Sequence, residues 1–336
     1  MSPSRHVLPL LVLALALLLP SPAPAARWHP DLRWHTLDTE HFSIHFHQGG
    51  STLAAEFALL AEEVHDILAP AMQWTPRGRT QVTLVDSTDA ANGFARTVPG
   101  NQIVLFVVQP GPDTSLDGAE DWWFSLFVHE YAHIVQIDMA EDFLQILRFV
   151  LGRLVLPNGV LPGWMTEGFA TYIETITTTS GRGRSTYTDM LLRVAALEGT
   201  FPRIDVADGY GSAFPRGQLR YLYGARFHLQ IAGEAGLSAW SNFHHRHARG
   251  LIPYLLPAQG AFGRRFAPMW KEWREQESRD ALQDVERIAG EGTGITATRV
   301  LPTRTGEALA PIYSADGQTI LYVHRSPSER TAIRAI

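Results

Sequence analysis

Cysteine is absent from the 336-residue chain. Disulfides are therefore excluded, and stability has to come from core burial and, where a site exists for one, from a bound metal. A basic excess is also missing. The formal net charge is -6 and no Lys/Arg run occurs, which argues against a nucleic-acid binder. Long apolar runs are nearly absent: one extends from Val7 to Leu19, shorter than the roughly 20 residues a membrane-crossing helix needs. What remains is an ordinary globular balance, 45% hydrophobic and 18% charged. A length of this order fits about two domains.

The single apolar run reads as a leader. Arg5 precedes it, Pro and small residues follow it, and Ala23-Pro24-Ala25 fits a small-x-small cleavage site. Residues 1–25 are then a signal peptide, the mature chain starts at Ala26, and the protein is exported to the periplasm or beyond the cell. An uncleaved N-terminal anchor is the competing reading. No cysteine follows the run, so a lipoprotein anchor is excluded, and no stable membrane span is expected after cleavage.

"HTLDTEHFSIHFH" at 35–47 alternates, with Phe42, Ile44 and Phe46 on one face and His41, Ser43, His45 and His47 on the other, the period of a half-buried strand. The three histidines form either a metal cluster or, more plainly, a solvated polar face. Leu53, Phe57, Leu60, Val64 and Leu68 then recur at helical spacing up to Pro70. Two β-rich runs start at 81 and 101, separated by the turn-rich "NGFARTVPGN". A helix is predicted from Trp122 to Met139, then the amphipathic "FLQILRFVLGRLV", then a helix over "GWMTEGFATYIETIT". The stretch 186–289 is mostly helical in pattern, and the Gly/Thr-rich segment from about 290 reads as a linker.

The Trp122–Met139 helix contains "VHEYAHI". His129 and His133 lie one turn apart and share a face, so both imidazoles can reach one ion. Glu130 lies about 100° round the helix, placed to reach a water on that ion and not the ion itself. A catalytic zinc needs a third protein ligand. Glu167, thirty-four positions after His133, is a candidate: a carboxylate beside Trp164, Phe169 and Ala170 is costly to bury unpaired, and a metal would offset that cost. Thr171, four residues on, could support Glu167. Glu174 reads as a solvated helix residue, and His244 and His247 in "FHHRHARG" as a solvated helix end.

HEYAH followed by WMTEGFA resembles the gluzincin metallopeptidases, in particular the catalytic domain of the aminopeptidase N family, whose second motif reads W-L-N-E-G-F-A. The resemblance implies an α+β, thermolysin-like zinc peptidase domain with a small N-terminal sheet and a mostly helical C-terminal half. It implies one zinc per chain held by His129, His133 and Glu167, with Glu130 as general base toward the zinc-bound water and a peptide or protein as substrate. It also implies an oxyanion-stabilising tyrosine from a Y-x-x-G-A segment. "RYLYGARF" offers Tyr221, with Gly224 and Ala225, or Tyr223 if the register slips. "TEHFSIHF" and "FGRRFAPMWKEW" look closest to a bacterial group described as peptidase MA-like, and the resemblance covers roughly residues 35–285. Two departures stand out. The spacing from His133 to Glu167 is longer than is usual for aminopeptidase N, and the G-A-M-E-N segment that recognises a free amino terminus is missing. "NGFARTVPGNQIVLF" occupies its place, where it can form a substrate-binding edge strand. Endopeptidase action, or a narrow peptide specificity, is therefore expected over aminopeptidase action.

At the C-terminal end, Pro311, Tyr313, Ser314, Asp316, Gly317, Ile320 and Tyr322 resemble a blade repeat of TolB-like β-propellers, with a hairpin at Ser-Ala-Asp-Gly. One blade cannot bury its own faces. The expected plan is a peptidase domain over 26–290, then a linker and a first, truncated blade over 291–336, in a longer protein whose propeller binds a protein partner. The rival reading is a catalytically silent binding protein on the same scaffold. A zinc hydrolase of another bond type has no supporting signature.

Overall fold

The alternating stretch at 35–47 folds as two strands and not one: β1 (Trp34–Asp38) and β2 (Phe42–His47), paired antiparallel. Thr39 closes the turn. Its backbone N–H donates to Phe42 O at 2.9 Å, and Phe42 N–H donates to its hydroxyl at 3.1 Å. Such local bonds compete with strand continuation, and alternation alone does not register them. Phe42 and Ile44 enter the core. The three histidines go to separate polar partners: His41 to Glu62 at 2.7 Å, His45 to Gln81 at 2.8 Å, and His47 to Asp86.

The computed structural model describes residues 29–111, 121–179, 181–211, 214–250, 255–290, 307–326 and 329–336. The predicted signal peptide and the linker over 291–306 lie outside the described residues. Helix α1 (Ser51–Met72) buries Phe57, Val64 and Leu68 of the period read from the sequence, with Leu53 and Leu60 only partly buried and Ala54 and Ala61 buried beside them, and crosses over from β2 to the parallel strand β3 (Thr80–Val85). Strand β4 (Gly93–Arg96) forms a hairpin with β5 (Gln102–Phe106), which runs parallel to β3. The sheet order is β1-β2-β3-β5-β4, so β4 is an edge strand.

Helix α2 (Trp122–Ile137) packs on α1, β4 and β5. Asp121 caps it, accepting from Phe124 N–H at 3.0 Å. At its far end Asp138 is wholly buried and accepts from Arg148 Nη2 at 2.7 Å, Arg153 Nη1 at 2.8 Å and Arg77 N–H at 3.1 Å. That demand inverts the next helix. In α3 (Asp142–Leu151) Arg148 turns inward with Leu144, while Phe143, Ile146, Phe149 and Val150 stand in solvent. A buried carboxylate needs cations near it, and this outranks the apolar periodicity.

The helical half comprises α4 (Gly163–Thr177), α5 (Thr186–Leu197), α6 (Leu219–Ala235), α7 (Leu237–Ala248), α8 (Leu255–Phe262) and α9 (Phe266–Gly290). Its core is aromatic, built on Trp164, Phe227, Trp240, Phe243, Phe266 and Trp270. His244 and His247 do not form a solvated helix end. Both face this core, His244 against Phe169 with ring centroids 4.7 Å apart, and His247 bonded to Asn158 Oδ1 at 2.8 Å. Neutral imidazoles pack there as aromatic rings.

Strands β6 (Glu307–Tyr313), β7 (Ile320–Ser326) and β8 (Glu329–Ala335) form a separate antiparallel sheet in that order. The β6–β7 connection is closed by Gly317 N–H donating to Ser314 O at 2.9 Å, and by Ser314 N–H donating to Thr319 O at 2.8 Å. The architecture is thus mixed α+β, and among the described residues no helix is long and apolar enough to cross a membrane.

Candidate metal centre and cleft

Helical spacing puts His129 and His133 on one face of α2, with ring centroids 5.0 Å apart and planes at 85°. Helix α4 packs against α2 and brings Glu167 to them. Glu167 Oε2 lies 3.1 Å from His133 Nε2 and 3.6 Å from His129 Nε2, and the three donor atoms all fall within 4.8 Å of one another. Ligands about 2.1 Å from one ion in a tetrahedron are about 3.4 Å apart. Two imidazole nitrogens and a carboxylate oxygen at these separations fit zinc in both geometry and donor type.

The electrostatics fit a cation as well. Burial and the Arg182 charge both push His129 toward the neutral form, but hydrogen bonds to Glu167 and Glu174 outweigh them and raise its pKa to about 9. Burial pushes Glu167 up, yet the two histidines hold it far below the usual carboxylate range. The cluster therefore draws positive charge to its centre, which a proton supplies when no metal is present.

Glu174 is not a solvated helix residue. It lies two turns after Glu167 on α4 and is 6% exposed, with its Oε2 3.3 Å from His129 Nδ1 and 2.7 Å from Arg182 Nη2. Burial raises its pKa, but Arg182 and His129 dominate and bring it to about 2. Arg182 Nη2 is itself 2.9 Å from His129 Nδ1. The two neighbours demand opposite tautomers. Ligation through Nε2 puts the proton on Nδ1, so Glu174 accepts from it and Arg182 is held by the carboxylate. Sequence reasoning missed Arg182, which comes from the short turn after α4. Glu174 had a signal, its seven-residue spacing from Glu167. Thr171 does not support the site: its hydroxyl is buried with no hydrogen-bond partner among the described residues.

Glu130 is 6% exposed and lies against the edge strand. A Cβ added to Gly93 on β4 would stand 3.3 Å from Glu130 Cγ and 3.1 Å from Leu126 Cδ1, so glycine is what lets the carboxylate arm lie against β4. Of the two tyrosines, Tyr221 faces the site. Its ring stacks on His129 at 6.2 Å, and the Arg182 guanidinium lies 5.2 Å from its ring centroid. Tyr223 points into the core against Phe201 and Trp273. Burial, then the charge of Glu167, raise the Tyr221 pKa to about 12 against the pull of Arg182 and Arg220, so the hydroxyl stays a donor at neutral pH. These side chains line one cleft of about 600 Å³, walled on one side by Asn92–Ala95.

What sets the distance between Glu167 and Tyr221 is a glycine contact. A Cβ on Gly168 would lie 2.6 Å from Gly224 C and Cα, and one on Gly224 would lie 2.5 Å from Trp164 O. Backbone meets backbone there, so nothing can yield. Gly168→Ala is expected to cost about 2–3 kcal/mol in urea unfolding through overpacking, and to weaken metal retention by pushing α4 off α6. Unchanged stability and unchanged zinc content would contradict this account of the contact.

No family model and no curated protein sequence matches the chain. Solved structures give partial overlaps. A mutant M1 zinc metallopeptidase of Deinococcus radiodurans bound to a Tyr-Ser-Ala substrate superposes with a TM-score of 0.38 at 15% identity, over 72% of this chain and 52% of that one. An aminopeptidase N family protein of Idiomarina loihiensis gives a TM-score of 0.34 at 12% identity, over 85% of this chain and 51% of that one. The chain thus spans about half the length of these structures.

Proposed function

We propose that the chain is an exported zinc metallopeptidase that hydrolyses peptide bonds, acting as an endopeptidase in preference to an aminopeptidase. One observation carries the reading: His129 Nε2, His133 Nε2 and Glu167 Oε2 converge on one point in a cleft that also presents Glu130 and Tyr221. A zinc ion held by those three residues would supply Lewis acidity, bringing the pKa of a water toward about 7 and polarising the scissile carbonyl.

The chain's own groups then divide the work. Glu130 takes the proton of the attacking water and passes it to the leaving amine. Tyr221 donates a hydrogen bond to the carbonyl oxygen as negative charge develops on it. Glu174 holds His129 by its outer nitrogen, and Arg182 holds Glu174. The β4 edge offers backbone hydrogen-bonding groups to an extended peptide. The endopeptidase preference is supported by how the cleft's carboxylates are used. Glu167 is engaged by histidines, Glu174 by Arg182, and Glu130 has the proton to carry; the described lining residues include no further carboxylate to hold a free amine. Export rests on the leader at 1–25, with the periplasm or the exterior as destination. The β6–β8 sheet is read as the first blade of a propeller that binds a protein partner.

The test is zinc content together with cleavage. The purified chain is expected to hold one zinc, and to cut members of a mixed peptide library in a way that chelation abolishes and zinc restores. Absence of zinc would undo the site. Stoichiometric zinc without cleavage would favour a catalytically silent binding protein on this scaffold.

A further inference from the structure

Resting on the peptidase reading, the cleft's second cation points to what its substrate carries. Arg182 and Arg220 both line the cleft. Arg182 is neutralised, its Nε and Nη2 donating to Glu174 at 3.1 and 2.7 Å. Arg220 is not. No described carboxylate comes within ion-pair distance of it, and its Nε is shut off from solvent without a hydrogen bond. The guanidinium stacks on an aromatic face, its carbon 4.7 Å from the Tyr210 ring centroid. Tyr210 is itself 82% exposed, so the stack stands at the cleft mouth.

The surroundings keep Arg220 in this unpaired state. Asp208, the nearby acid, is used otherwise: its Oδ1 accepts from Trp164 N–H at 3.0 Å at the start of α4. A Cβ on Gly163 would come 3.5 Å from Arg220 Cζ and Nε, so the glycine leaves room beside the guanidinium. A partly buried guanidinium that no described carboxylate pairs is costly unless an anion arrives at its outer Nη groups, the ones not shut off from solvent. The fork of N–H groups matches a carboxylate bidentately, and stacking on Tyr210 holds the fork in one plane. Arg220 directly precedes Tyr221 on α6 and both side chains line the cleft, so a carboxylate held by Arg220 shares that cleft with the oxygen-stabilising hydroxyl.

We propose that Arg220, braced by Tyr210, forms a subsite that binds a carboxylate of the peptide substrate, either an acidic side chain near the scissile bond or the peptide's C-terminal carboxylate. Arg220 thereby sets substrate preference without taking part in bond breaking.

The experiment compares matched peptides on the zinc-loaded full chain. One pair differs only as Glu against Gln at a position beside the cut, the other only as free acid against C-terminal amide. The carboxylate member of one pair is expected to have a kcat/KM about ten- to a hundredfold higher, and the pair that shows it identifies the source. In Arg220→Ala that ratio should fall to near one, and in Arg220→Lys, which keeps charge but not the fork, to an intermediate value. Thermal unfolding of each variant separates loss of the subsite from loss of the fold. Dissociation constants of the same peptides on Glu130→Gln, read by fluorescence anisotropy with and without Arg220→Ala, give the ratio independently of turnover. If no peptide is cut, the peptidase reading fails while the binding ratio still decides the subsite. Ratios near one for both pairs on the chain with Arg220, or a ratio that survives Arg220→Ala, would overturn the proposal.

Discussion

Glu130→Gln is expected to lower peptide-bond turnover by about 10⁴-fold, the upper range for loss of a general base, while zinc content stays at one per chain. The amide keeps the shape of the side chain, so its place against Gly93, where Glu130 Cγ is 3.3 Å from a built Cβ, is preserved. It cannot accept the proton of an attacking water. Because Glu130 is not one of the three converging donors, the metal should remain. Peptide affinity should change little, so the loss should appear in kcat and not in KM. Metal analysis beside single-turnover kinetics checks both halves. Turnover at the wild-type level would remove Glu130 from the chemistry, and loss of zinc would recast it as a ligand.

Acid should destabilise the helical half well before carboxylates titrate. His228 and His244 are fully buried in the aromatic core. His228 stacks on Trp240 at 4.0 Å and donates through Nδ1 to Gly224 O at 2.8 Å, leaving Nε2 without a hydrogen-bond partner among the described residues. Burial lowers its pKa to about 3, only partly opposed by that hydrogen bond, and burial first, then the neighbouring histidines, lowers His244 well below the ordinary value. The unfolded chain, with histidines near 6.5, therefore binds protons that the folded chain refuses. The contribution of these two histidines is unchanged above about pH 6.5 and turns destabilising as pH drops below it, by about 2 kcal/mol per buried histidine at pH 5. His47, raised by Gln48 and Asp86 against burial, works in the opposite direction and offsets part of this. Urea unfolding of the zinc-loaded chain at pH 7 and pH 5 measures the loss. His228→Phe, which keeps a ring against Trp240, should remove about one histidine's share of it. An identical pH dependence in that variant would mean His228 is not buried neutral.

The candidate ligands were legible because their geometry is local. Two histidines at i and i+4 share a helix face whatever the rest of the chain does, and Glu167 was marked by being a carboxylate among Trp164, Phe169 and Ala170. Motif register favours Tyr221 and leaves Tyr223 as the alternative if it slips by two residues. Packing separates them, since only one side of α6 faces His129 while the other meets Phe201 and Trp273. The hairpin in 35–47 was missed because alternation reports a face and not a turn bond at Thr39. The buried histidines of α7 were misplaced because a neutral imidazole carries no sequence mark that distinguishes core from surface.

The sequence by itself determined the absence of disulfides, the amphipathic order of α1, the histidine pair on α2 and the letters of the second motif. Each of these depends on composition or on spacing within one element. Tertiary structure decided everything that depends on two elements meeting. It brought Arg182 from a turn to Glu174 and His129, and set α4 against α6 through Gly168 and Gly224. It turned Arg148 inward to Asp138 at the cost of an exposed apolar face, and left Arg220 stacked on Tyr210 with no ion-paired carboxylate among the described residues. The physical reason is the same throughout. A periodic pattern records which face of an element is apolar, whereas the cost of burying a charge is settled only by what another part of the chain places beside it.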